Sequence, residues 1–321
     1  MDDYPRSMID LEKRFHTEAA CREYLYNLRW PNGFRCPKCQ GDAAWAATAT
    51  LLTCKRCRHR TTVIAGTIFE RAHRPLPIWF QAIWWVTTQK NGASAMGLQR
   101  VLGVSYKTAW TWLHKIRRAM VRPGRDRLQG DIEVDETYIG ALDEETHGRE
   151  SGKKALIVVA AQADGKRIGR IRMRKIPDAS EASLLPFVRD FIESDSHVRT
   201  DGWAGYNALS SAGYEHEVTI IGSKRKRATE LLPRVHLVVS LLKRWLLGTH
   251  QGAVSYEHLD YYLDEFCFRF NRRTSRNRGL LFYRLLQQAM AVEPAPYKRI
   301  TLGIFPLLSL NVLMDLFVSS C

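Results

Sequence analysis

Residues 131–139 have the sequence Asp-Ile-Glu-Val-Asp-Glu-Thr-Tyr-Ile, in which polar and apolar side chains alternate. Such alternation is typical of a β-strand with one buried face. Asp131, Glu133 and Asp135 share one face of this strand, because side chains along a strand point to opposite sides with a period of two. Carboxylates in such a row repel one another unless water or a cation relieves the repulsion. The stretch therefore predicts either a solvated face or a cation site.

The chain after this strand alternates between strand patterns and helix patterns, which is typical of an α/β domain. Further strands are predicted at 155–161, 167–174, 197–200 and 218–221, and helices at 180–194, 203–212, about 229–248 and from 256 into the 260s. Three strands, a helix, a strand, a helix, a strand and then helices are the element order of an RNase H-like domain. We place this domain at 128–292 and expect a mixed sheet flanked by helices.

A second acidic residue, Asp201, stands where strand 197–200 ends and is followed by Gly202 and Trp203. Acidic residues at the ends of adjacent strands suit Mg²⁺, which prefers oxygen ligands and binds through one or two carboxylates together with substrate phosphates. Two such ions bracket an in-line phosphoryl transfer, one at the attacking oxygen and one at the leaving oxygen. Asp135 and Asp201 are therefore candidate ligands of catalytic Mg²⁺ or Mn²⁺.

Two Cys-x-x-Cys pairs stand near the start of the chain, with fourteen residues between them. Their members are Cys36, Cys39, Cys54 and Cys57. Tetrahedral zinc binds four thiolates, and each Cys-x-x-Cys turn presents two of them. The pattern predicts a structural Zn²⁺ in a zinc ribbon, which we place together with a helix at 17–29 in an N-terminal region, 1–63. Such a ribbon either contacts nucleic acid or braces a neighbouring element.

A helix-turn-helix pattern follows within a helical region at 64–121. An aromatic-rich helix over 78–89 is expected to bury its tryptophans. After it come a short helix at 95–102, a turn at 103–104 and a second helix from the N-cap Ser105 to about 120. Residues of this second helix that we expect to be exposed and to suit a DNA major groove are Lys107, Thr108, Thr111, Lys115 and Arg118. The alternative is an ordinary helical hairpin without DNA contact.

The chain has 48 Lys and Arg against 33 Asp and Glu, a net charge of +15, which favours a polyanionic partner such as DNA. Basic runs that are candidates for phosphate contact are Lys224, Arg225, Lys226 and Arg227, the segment 170–175, and the segment 269–278 with Arg272 and Arg273. Each run is alternatively a solvated face. Arg272 and Arg273 are alternatively packing partners of Asp264 and Glu265.

The ends of the chain carry two further expectations. The first residues lack the apolar core of a signal peptide, and the cysteines outside the zinc pattern are scattered, which indicates a reducing cytoplasm without a disulfide scaffold. The atypical C-terminal tail, 293–321, is largely apolar from 300 to 318 but is interrupted by Pro306, Asn311 and Asp315. We expect a packing helix or a terminus foreign to the rest of the chain in preference to a membrane anchor.

Several segments in a fixed order resemble one known family. They are the four-cysteine pattern, Glu133-Val-Asp-Glu-Thr-Tyr-Ile-Gly140, Thr200-Asp-Gly-Trp203, Leu242-Lys-Arg-Trp-Leu-Leu-Gly-Thr-His250 and Tyr262-Leu-Asp-Glu-Phe-Cys-Phe-Arg-Phe-Asn-Arg-Arg273. Over about residues 15–297 the chain resembles the zinc-ribbon, DDE-domain insertion-sequence transposases of the ISXO-like type. The resemblance implies an RNase H-like domain that uses Mg²⁺ to cut transposon ends and join them to target DNA, with Asp135 and Asp201 as the first two catalytic acids. It also implies a prokaryotic, nucleoid-associated protein that binds terminal inverted repeats and pairs two ends as at least a dimer.

The third catalytic position departs from the family pattern. DDE enzymes place a Glu roughly 35 residues after the second Asp and a basic residue seven further on, and these positions hold His236 and Lys243 here. Seven residues are close to two helical turns, so both side chains lie on one helix face, and Lys243 suits a phosphate of the transposon end. Three interpretations remain: His236 completes the site, Glu230 serves instead, or this copy has decayed and acts only as a sequence-specific DNA-binding protein. A nuclease without strand transfer is a further alternative.

Overall fold

The computed structural model describes residues 3–122, 124–140, 154–219, 231–252 and 254–303. The chain divides into two compact units. The first is formed by residues up to Arg122 together with 275–303, and the second by the segment between them, up to Thr274. The second unit thus ends before residue 292, the limit that we predicted for the catalytic domain, because the helix after Thr274 belongs to the first unit.

The first unit begins with two helices, a small sheet and three more helices. The helices are α1 (Met8–Arg14), α2 (Glu18–Arg29), α3 (Leu76–Thr88), α4 (Ala95–Leu102) and α5 (Tyr106–Ala119). Between α2 and α3 lie the antiparallel strands β1 (Ala44–Ala46), β2 (Leu52–Cys54) and β3 (Arg60–Thr61). The predicted helix at 17–29 is confirmed, with Thr17 as the N-cap whose side chain accepts a hydrogen bond from the Ala20 N–H.

Helices α4 and α5 form the predicted helix-turn-helix, and local capping sets their ends. The Ser105 hydroxyl accepts a hydrogen bond from the Thr108 backbone N–H at 3.2 Å and begins α5 as its N-cap. Gly103 ends α4 with a φ of 63°, a left-handed conformation that glycine adopts without a steric penalty. The sequence therefore predicted both ends of α4 and the start of α5 correctly.

A five-stranded mixed sheet forms the centre of the second unit and confirms the predicted α/β class. Its strands lie in the order β6-β5-β4-β7-β8, where β4 is Asp131–Ile139, β5 Ala155–Asp164, β6 Arg167–Ile176, β7 His197–Thr200 and β8 Glu215–Val218. The first three pair as an antiparallel meander, and β7 and β8 join in parallel orientation. Parallel neighbours need crossover connections, which run through α6 (Glu181–Phe191) and through a 3₁₀ helix (Ala204–Leu209).

The last strand begins earlier than the sequence predicted. We expected it at 218–221, but β8 pairs with β7 over Glu215–Val218, with His197 opposite Glu215 and Thr200 opposite Val218. Among the described elements β8 is an edge strand, and Glu215, His216 and Glu217 precede its one apolar residue. Charged residues are common on edge strands because they discourage pairing with another chain, so the apolar pattern that marks an inner strand is missing here.

The two faces of this sheet are covered by different helices. The core beneath α6 includes Ile132, Val134 and Val158 of the sheet, together with Phe187 and Tyr206. On the other face, α7 (Pro233–His250) packs against β4 and β5, and α8 (Leu259–Phe270) packs against β6. Because the side chains of β4 alternate, its odd-numbered residues point toward α7 and its even-numbered residues toward the core beneath α6. Asp135 and Glu136 consequently leave β4 on opposite faces.

The chain returns to the first unit through α9 (Arg278–Ala291) and α10 (Tyr297–Thr301). The helix α9 packs against α2, α3 and α5, and its Phe282 ring lies 5.7 Å from the rings of Phe80 and Trp84. In the same unit Trp79 stacks on Trp112 at 3.9 Å between ring centroids, so the expected burial of the α3 tryptophans holds for Trp79 and Trp84. We predicted no helix over 278–291 and counted this stretch in the catalytic domain, because the sequence alone does not indicate which unit its apolar residues pack against.

No helix in the described ranges combines the length and the apolar character that crossing a membrane requires. The predicted C-terminal tail, 293–321, is described only as far as residue 303, and Ile300 of α10 is fully buried. Residues 304–321, with the interrupted apolar stretch, lie outside the described residues.

Candidate active site

Asp135 and Asp201 come together at the point where β7 ends beside β4. The two strands run parallel with Glu133 opposite Arg199, so position 201 falls at the level of Asp135, one residue after β7 ends. The backbone N–H of Trp203 donates a hydrogen bond to Asp201 Oδ1 at 3.0 Å and fixes that carboxylate in the turn. The two acidic residues that the sequence singled out therefore lie side by side, one on β4 and the other directly after the adjacent strand β7.

The carboxylates of Asp135, Asp201 and Glu136 are close enough to affect one another's ionisation. Burial, followed by the negative charges of Glu136 and Asp201, raises the pKa of Asp135 to about 7. Burial and the charge of Asp201 also raise the pKa of Glu136, whereas the hydrogen bond from Tyr206 lowers it. A divalent cation relieves this kind of repulsion, and oxygen atoms of carboxylates are the ligands that Mg²⁺ and Mn²⁺ prefer. The donor set at this position thus fits such an ion.

The three acidic residues on one face of β4 have three different surroundings. Glu133 is 2% exposed, and its carboxylate accepts hydrogen bonds from the backbone N–H groups of Arg234 at 2.7 Å and Val235 at 3.0 Å. It also accepts one from the Arg234 guanidinium at 2.8 Å. Asp131 is exposed and pairs with His197 at 2.9 Å. Only Asp135 faces the acidic cluster, so the face is neither uniformly solvated nor a three-carboxylate site.

Glu133 acts as the N-terminal cap of α7. The N-cap residue of that helix, Leu232, has no side-chain capping hydrogen bond, and Pro233 occupies the first turn. The first free N–H groups of a helix need an acceptor when they are buried, and a carboxylate also complements the positive end of the helix dipole. The cap on β4 therefore fixes the start of α7 against the strand that carries Asp135.

This attachment sets the position of His236 and Lys243. His236 follows the capped residues directly, and its Nε2 lies 3.8 Å from Asp135 Oδ2. Lys243 lies two turns further along the same face of α7, and its Nζ donates a hydrogen bond to Thr137 Oγ1 at 3.3 Å. The structure thus brings the predicted residues Asp135, His236 and Lys243 together on one face of the sheet. Glu230, the alternative third ligand, lies outside the described residues.

Sequence reasoning missed Glu136. It leaves β4 on the face opposite Asp135, and its Oε2 accepts a hydrogen bond from the buried Tyr206 hydroxyl at 2.7 Å. The signal that could have found it was the second acidic residue directly after Asp135. A period-two argument discards that residue, because it considers one face of the strand at a time.

The predicted DNA-contacting face of α5 is only partly exposed. Lys107 is exposed, and its ammonium lies 4.4 Å from the centre of the Tyr297 ring of α10. Thr108, Thr111 and Lys115 are half-buried, and burial lowers the pKa of Lys115. Arg118 is 8% exposed, so its expected exposure was wrong. The last turn of α5 is buried on nearly all sides, and a charged residue near a helix end does not by itself indicate which way it points.

The basic runs in the second unit are largely bound to the protein itself. Arg170, Arg174 and Lys175 of β6 form ion pairs with Asp126, Asp190 and Asp260, at 3.3, 2.8 and 3.7 Å respectively. Arg272 lies 4.2 Å from the Phe268 ring, and Arg273 lies 4.0 Å from the Phe270 ring. Arg273 also donates hydrogen bonds to the carbonyl groups of Ile168 and Gly169, and Glu265 pairs with Arg269. Lys224, Arg225, Lys226 and Arg227 lie outside the described residues.

The four cysteines of the first unit form a closed cluster. Their sulfur atoms lie within 4.8 Å of one another, and among the described residues no other group of three or more potential ligands is gathered so closely. Cys36 Sγ lies 3.6 Å from Cys57 Sγ, and Cys39 Sγ lies 3.7 Å from Cys54 Sγ. A tetrahedron with Zn–S bonds of about 2.3 Å has edges of about 3.8 Å, so the spacing fits zinc.

The two Cys-x-x-Cys turns have the same backbone shape. The residue after each turn, Gln40 or Arg58, has a φ of 60° and donates its N–H to the carbonyl of the first cysteine, at 2.9 and 3.1 Å respectively. The first cysteine of each turn in return donates its own N–H to a carbonyl beyond the turn, that of Gly41 or His59. This repetition places the four sulfur atoms at one point, as a structural zinc site requires.

Two family models match the chain in the order that the structure displays. The transposase zinc-ribbon domain matches residues 16–60, and the ISXO2-like transposase domain matches residues 127–271. The chain is also similar to an uncharacterized protein in transposable element ISH50 of Halobacterium salinarum, with 27% identity over 286 residues that cover 83% of this chain and 95% of the relative. The mixed sheet flanked by helices is accordingly the RNase H-like fold of a DDE transposase domain. The chain thus carries a transposase zinc-ribbon domain ahead of an ISXO2-like transposase domain, and in this order it is similar to the zinc-ribbon, DDE-domain insertion-sequence transposases.

Proposed function

We propose that this transposase cuts the ends of an insertion sequence and joins them to target DNA by metal-dependent phosphoryl transfer. The observation that carries the proposal is the position of Asp135 and Asp201 at one level of two parallel strands. Burial, followed by the negative charges of Glu136 and Asp201, raises the pKa of Asp135 there to about 7. Buried carboxylates that repel one another destabilise the fold, and a bound divalent cation relieves that repulsion.

Asp135 and Asp201 would hold Mg²⁺ or Mn²⁺. When bound, such ions activate the attacking oxygen, which is water in the cutting step and a DNA 3′-hydroxyl in the joining step, and stabilise the leaving oxygen. The hydrogen bond from the Trp203 N–H holds the Asp201 carboxylate in the turn after β7, and the half-buried position of Asp135 and Asp201 limits competing water.

His236 is the third residue of the proposed site. Its Nε2 lies 3.8 Å from Asp135 Oδ2, and the Glu133 cap holds the helix that carries it. An imidazole at this point either supplies a nitrogen ligand or orients a water molecule. Lys243, whose side chain lies near Thr137 on the same face, is proposed to bind a phosphate of the transposon end as a point charge.

Recognition of the terminal inverted repeats is assigned to the first unit. The net charge of +15 favours DNA, and the helix-turn-helix presents Lys107, Thr108, Thr111 and Lys115 on or near the surface of α5. We propose that the zinc ribbon assists this contact or braces it. Because two ends must be paired for insertion, the active species is proposed to be at least a dimer.

Strand cutting and joining on oligonucleotides that contain the element's ends tests the proposal, with Mg²⁺ or Mn²⁺ present. Asp135→Asn is expected to abolish both steps. Asp131→Asn is the matched control, because it makes the same change on the same strand face at a residue that pairs with His197 outside the acidic cluster. A wild-type protein that binds the ends but never cuts them would leave the DNA-binding-only alternative in place.

Two further variants identify the third residue. His236→Ala and Glu230→Ala remove the two candidates one at a time. Loss of cutting with His236→Ala alone supports His236, and loss with Glu230→Ala alone transfers the role to Glu230. Wild-type cutting activity in both variants would mean that neither side chain completes the site.

A further inference from the structure

Trp203 is a half-exposed tryptophan that stands two residues after Asp201. Its side chain keeps 50% of its surface accessible to water. The indole Nε1 donates a hydrogen bond to the Ala179 carbonyl at 2.7 Å, and the backbone N–H of the same residue donates to Asp201 Oδ1. The ring is thus anchored at its polar edge, beside a carboxylate of the proposed active site.

Two glycines allow the loop to hold the ring in this way. A Cβ on Gly205 would overlap the Ala179 carbonyl that accepts the indole hydrogen bond, and it would come within 3.1 Å of Trp203 Cδ1. Gly202 has a φ of 86°, and a Cβ there would lie 2.8 Å from Val218 Cγ1. Gly202 therefore has a left-handed backbone conformation that favours glycine, and Gly205 leaves no room for a Cβ beside the anchored ring.

The exposed part of the indole defines the ligand that it can receive. Because the indole N–H is already bonded to the protein, the ring offers a ligand only its apolar carbon framework and its π face. A phosphate or a sugar hydroxyl gains little from such a surface, whereas a nucleobase stacks on it through its own π face. Trp79, Trp84 and Trp112 are buried in the first unit, so exposure is not the general state of the tryptophans in this chain.

We propose that Trp203 stacks on an unpaired base of the DNA strand, next to the phosphodiester held at Asp135 and Asp201. The proposal rests on the proposed function, because it places that phosphodiester beside Asp201. Residues two apart have Cα atoms at most about 7.6 Å from each other, a reach of one or two nucleotides at a rise of about 3.4 Å. A base inside a duplex has both faces covered by its neighbours, so stacking on Trp203 requires that the base leave the duplex.

Binding and crosslinking measurements on the full-length protein test the proposal, with Ca²⁺ in place of Mg²⁺ so that no strand is cut. One probe is a fully paired duplex with the terminal inverted repeat. The other is the same duplex with one unpaired 5-iodo-deoxyuridine beside the cut phosphodiester. In the wild-type protein, irradiation is expected to crosslink the unpaired base to Trp203. Trp203→Ala is expected to bind the unpaired probe about 5- to 150-fold more weakly and the paired probe less than about twofold more weakly.

Two variants serve as comparisons. Trp203→Phe keeps an aromatic face and is expected to retain most of the preference for the unpaired probe. Tyr138→Ala removes another exposed aromatic ring of the second unit, 59% exposed on β4, and is expected to leave the preference unchanged. A crosslink that maps to other residues, or equal losses of affinity for both probes in Trp203→Ala, overturns the proposal.

The crosslink is made in the wild-type protein, so it does not depend on the folding of any variant. Failure of the proposed function would look different, because the wild-type protein would then neither cut nor join the ends in Mg²⁺. A wild-type protein that cuts and joins the ends without the Trp203 crosslink leaves the proposed function standing and removes the stacking proposal. If Trp203 instead contacts another protein chain, Trp203→Ala leaves the affinity for both DNA probes unchanged. That result also overturns the stacking proposal.

Discussion

The carboxylate of Glu133 is predicted to hold the first turn of α7 against the sheet. Glu133→Ala removes the acceptor of three hydrogen bonds, two from the backbone N–H groups of Arg234 and Val235 and one from the Arg234 guanidinium. Because Glu133 is 2% exposed, water does not readily replace the lost acceptor at the two N–H groups. The change should therefore weaken the fold and loosen the helix that carries His236.

The magnitude follows from the contacts. Loss of an N-cap acceptor costs about 0.5–2 kcal/mol, and loss of a hydrogen bond to a charged partner costs about 1.5–3 kcal/mol. The Arg234 side chain is 25% exposed, so water takes over part of its bond. We expect Glu133→Ala to lower the free energy of unfolding of the second unit by about 2–4 kcal/mol. Glu133→Gln keeps an oxygen acceptor for the backbone and is expected to cost about 1–2 kcal/mol.

Urea unfolding gives the change in stability, and amide hydrogen exchange locates it. The N–H groups at the start of α7 should exchange faster in Glu133→Ala under conditions where the rest of the second unit stays protected. Asp131→Ala is the matched control, since its exposed carboxylate pairs only at the surface and should cost less than about 1 kcal/mol. The reasoning is refuted if Glu133→Ala costs no more than this control, or if exchange at the start of α7 keeps the wild-type rate.

The raised pKa of Asp135 means that, without metal, the folded protein keeps a proton that the unfolded chain releases, so stability should fall as pH rises from about 4 to about 7. Asp135→Asn, or added Mg²⁺, should reduce that slope in Tm, whereas Asp264, whose pKa burial also raises to about 7, should maintain the rest of it. A slope that is unchanged in both contradicts the assignment. Tyr206→Phe deletes the 2.7 Å hydrogen bond to Glu136 and should cost about 1.5–3 kcal/mol in urea unfolding, whereas Tyr214→Phe, whose hydroxyl lies 3.4 Å from its acceptor, should cost less than about 1 kcal/mol. Removal of zinc, or Cys54→Ser, should abolish exchange protection within 36–60, because zinc binding to such sites contributes on the order of 10 kcal/mol to folding. Unchanged protection in the metal-free protein would argue against a structural ion.

Local signals in the sequence predicted much of this protein correctly. Ser105 and Gly103 mark helix ends through hydrogen bonds and backbone conformations that involve residues only a few positions away. The spacing of the four cysteines predicted their cluster correctly. Each Cys-x-x-Cys pair is shaped by a single turn, and tetrahedral zinc coordination restricts how the two turns can be placed relative to each other. The adjacency of Asp135 and Asp201 followed from the order of the strands together with the family resemblance.

Glu133 and Glu136 could not be assigned from the sequence. Three acidic residues on one strand face look alike, yet Glu133 caps a helix whose first residues lie about one hundred positions later in the chain. Glu136 gains its place from Tyr206, seventy positions later, on the other face of the sheet. A periodicity argument reports which face a side chain takes, but it does not report what covers that face.

The sequence by itself determined the zinc ribbon, the helix-turn-helix, the α/β class of the second unit and the two acidic residues, because each depends on short-range geometry or on the order of elements. Only the tertiary structure decided that α9 joins the first unit, that Arg118 is buried, and that Glu133 holds α7 so that His236 stands 3.8 Å from Asp135. The physical reason is that burial and the pairing of polar groups are properties of two surfaces in contact. A single stretch of sequence specifies only one of the two.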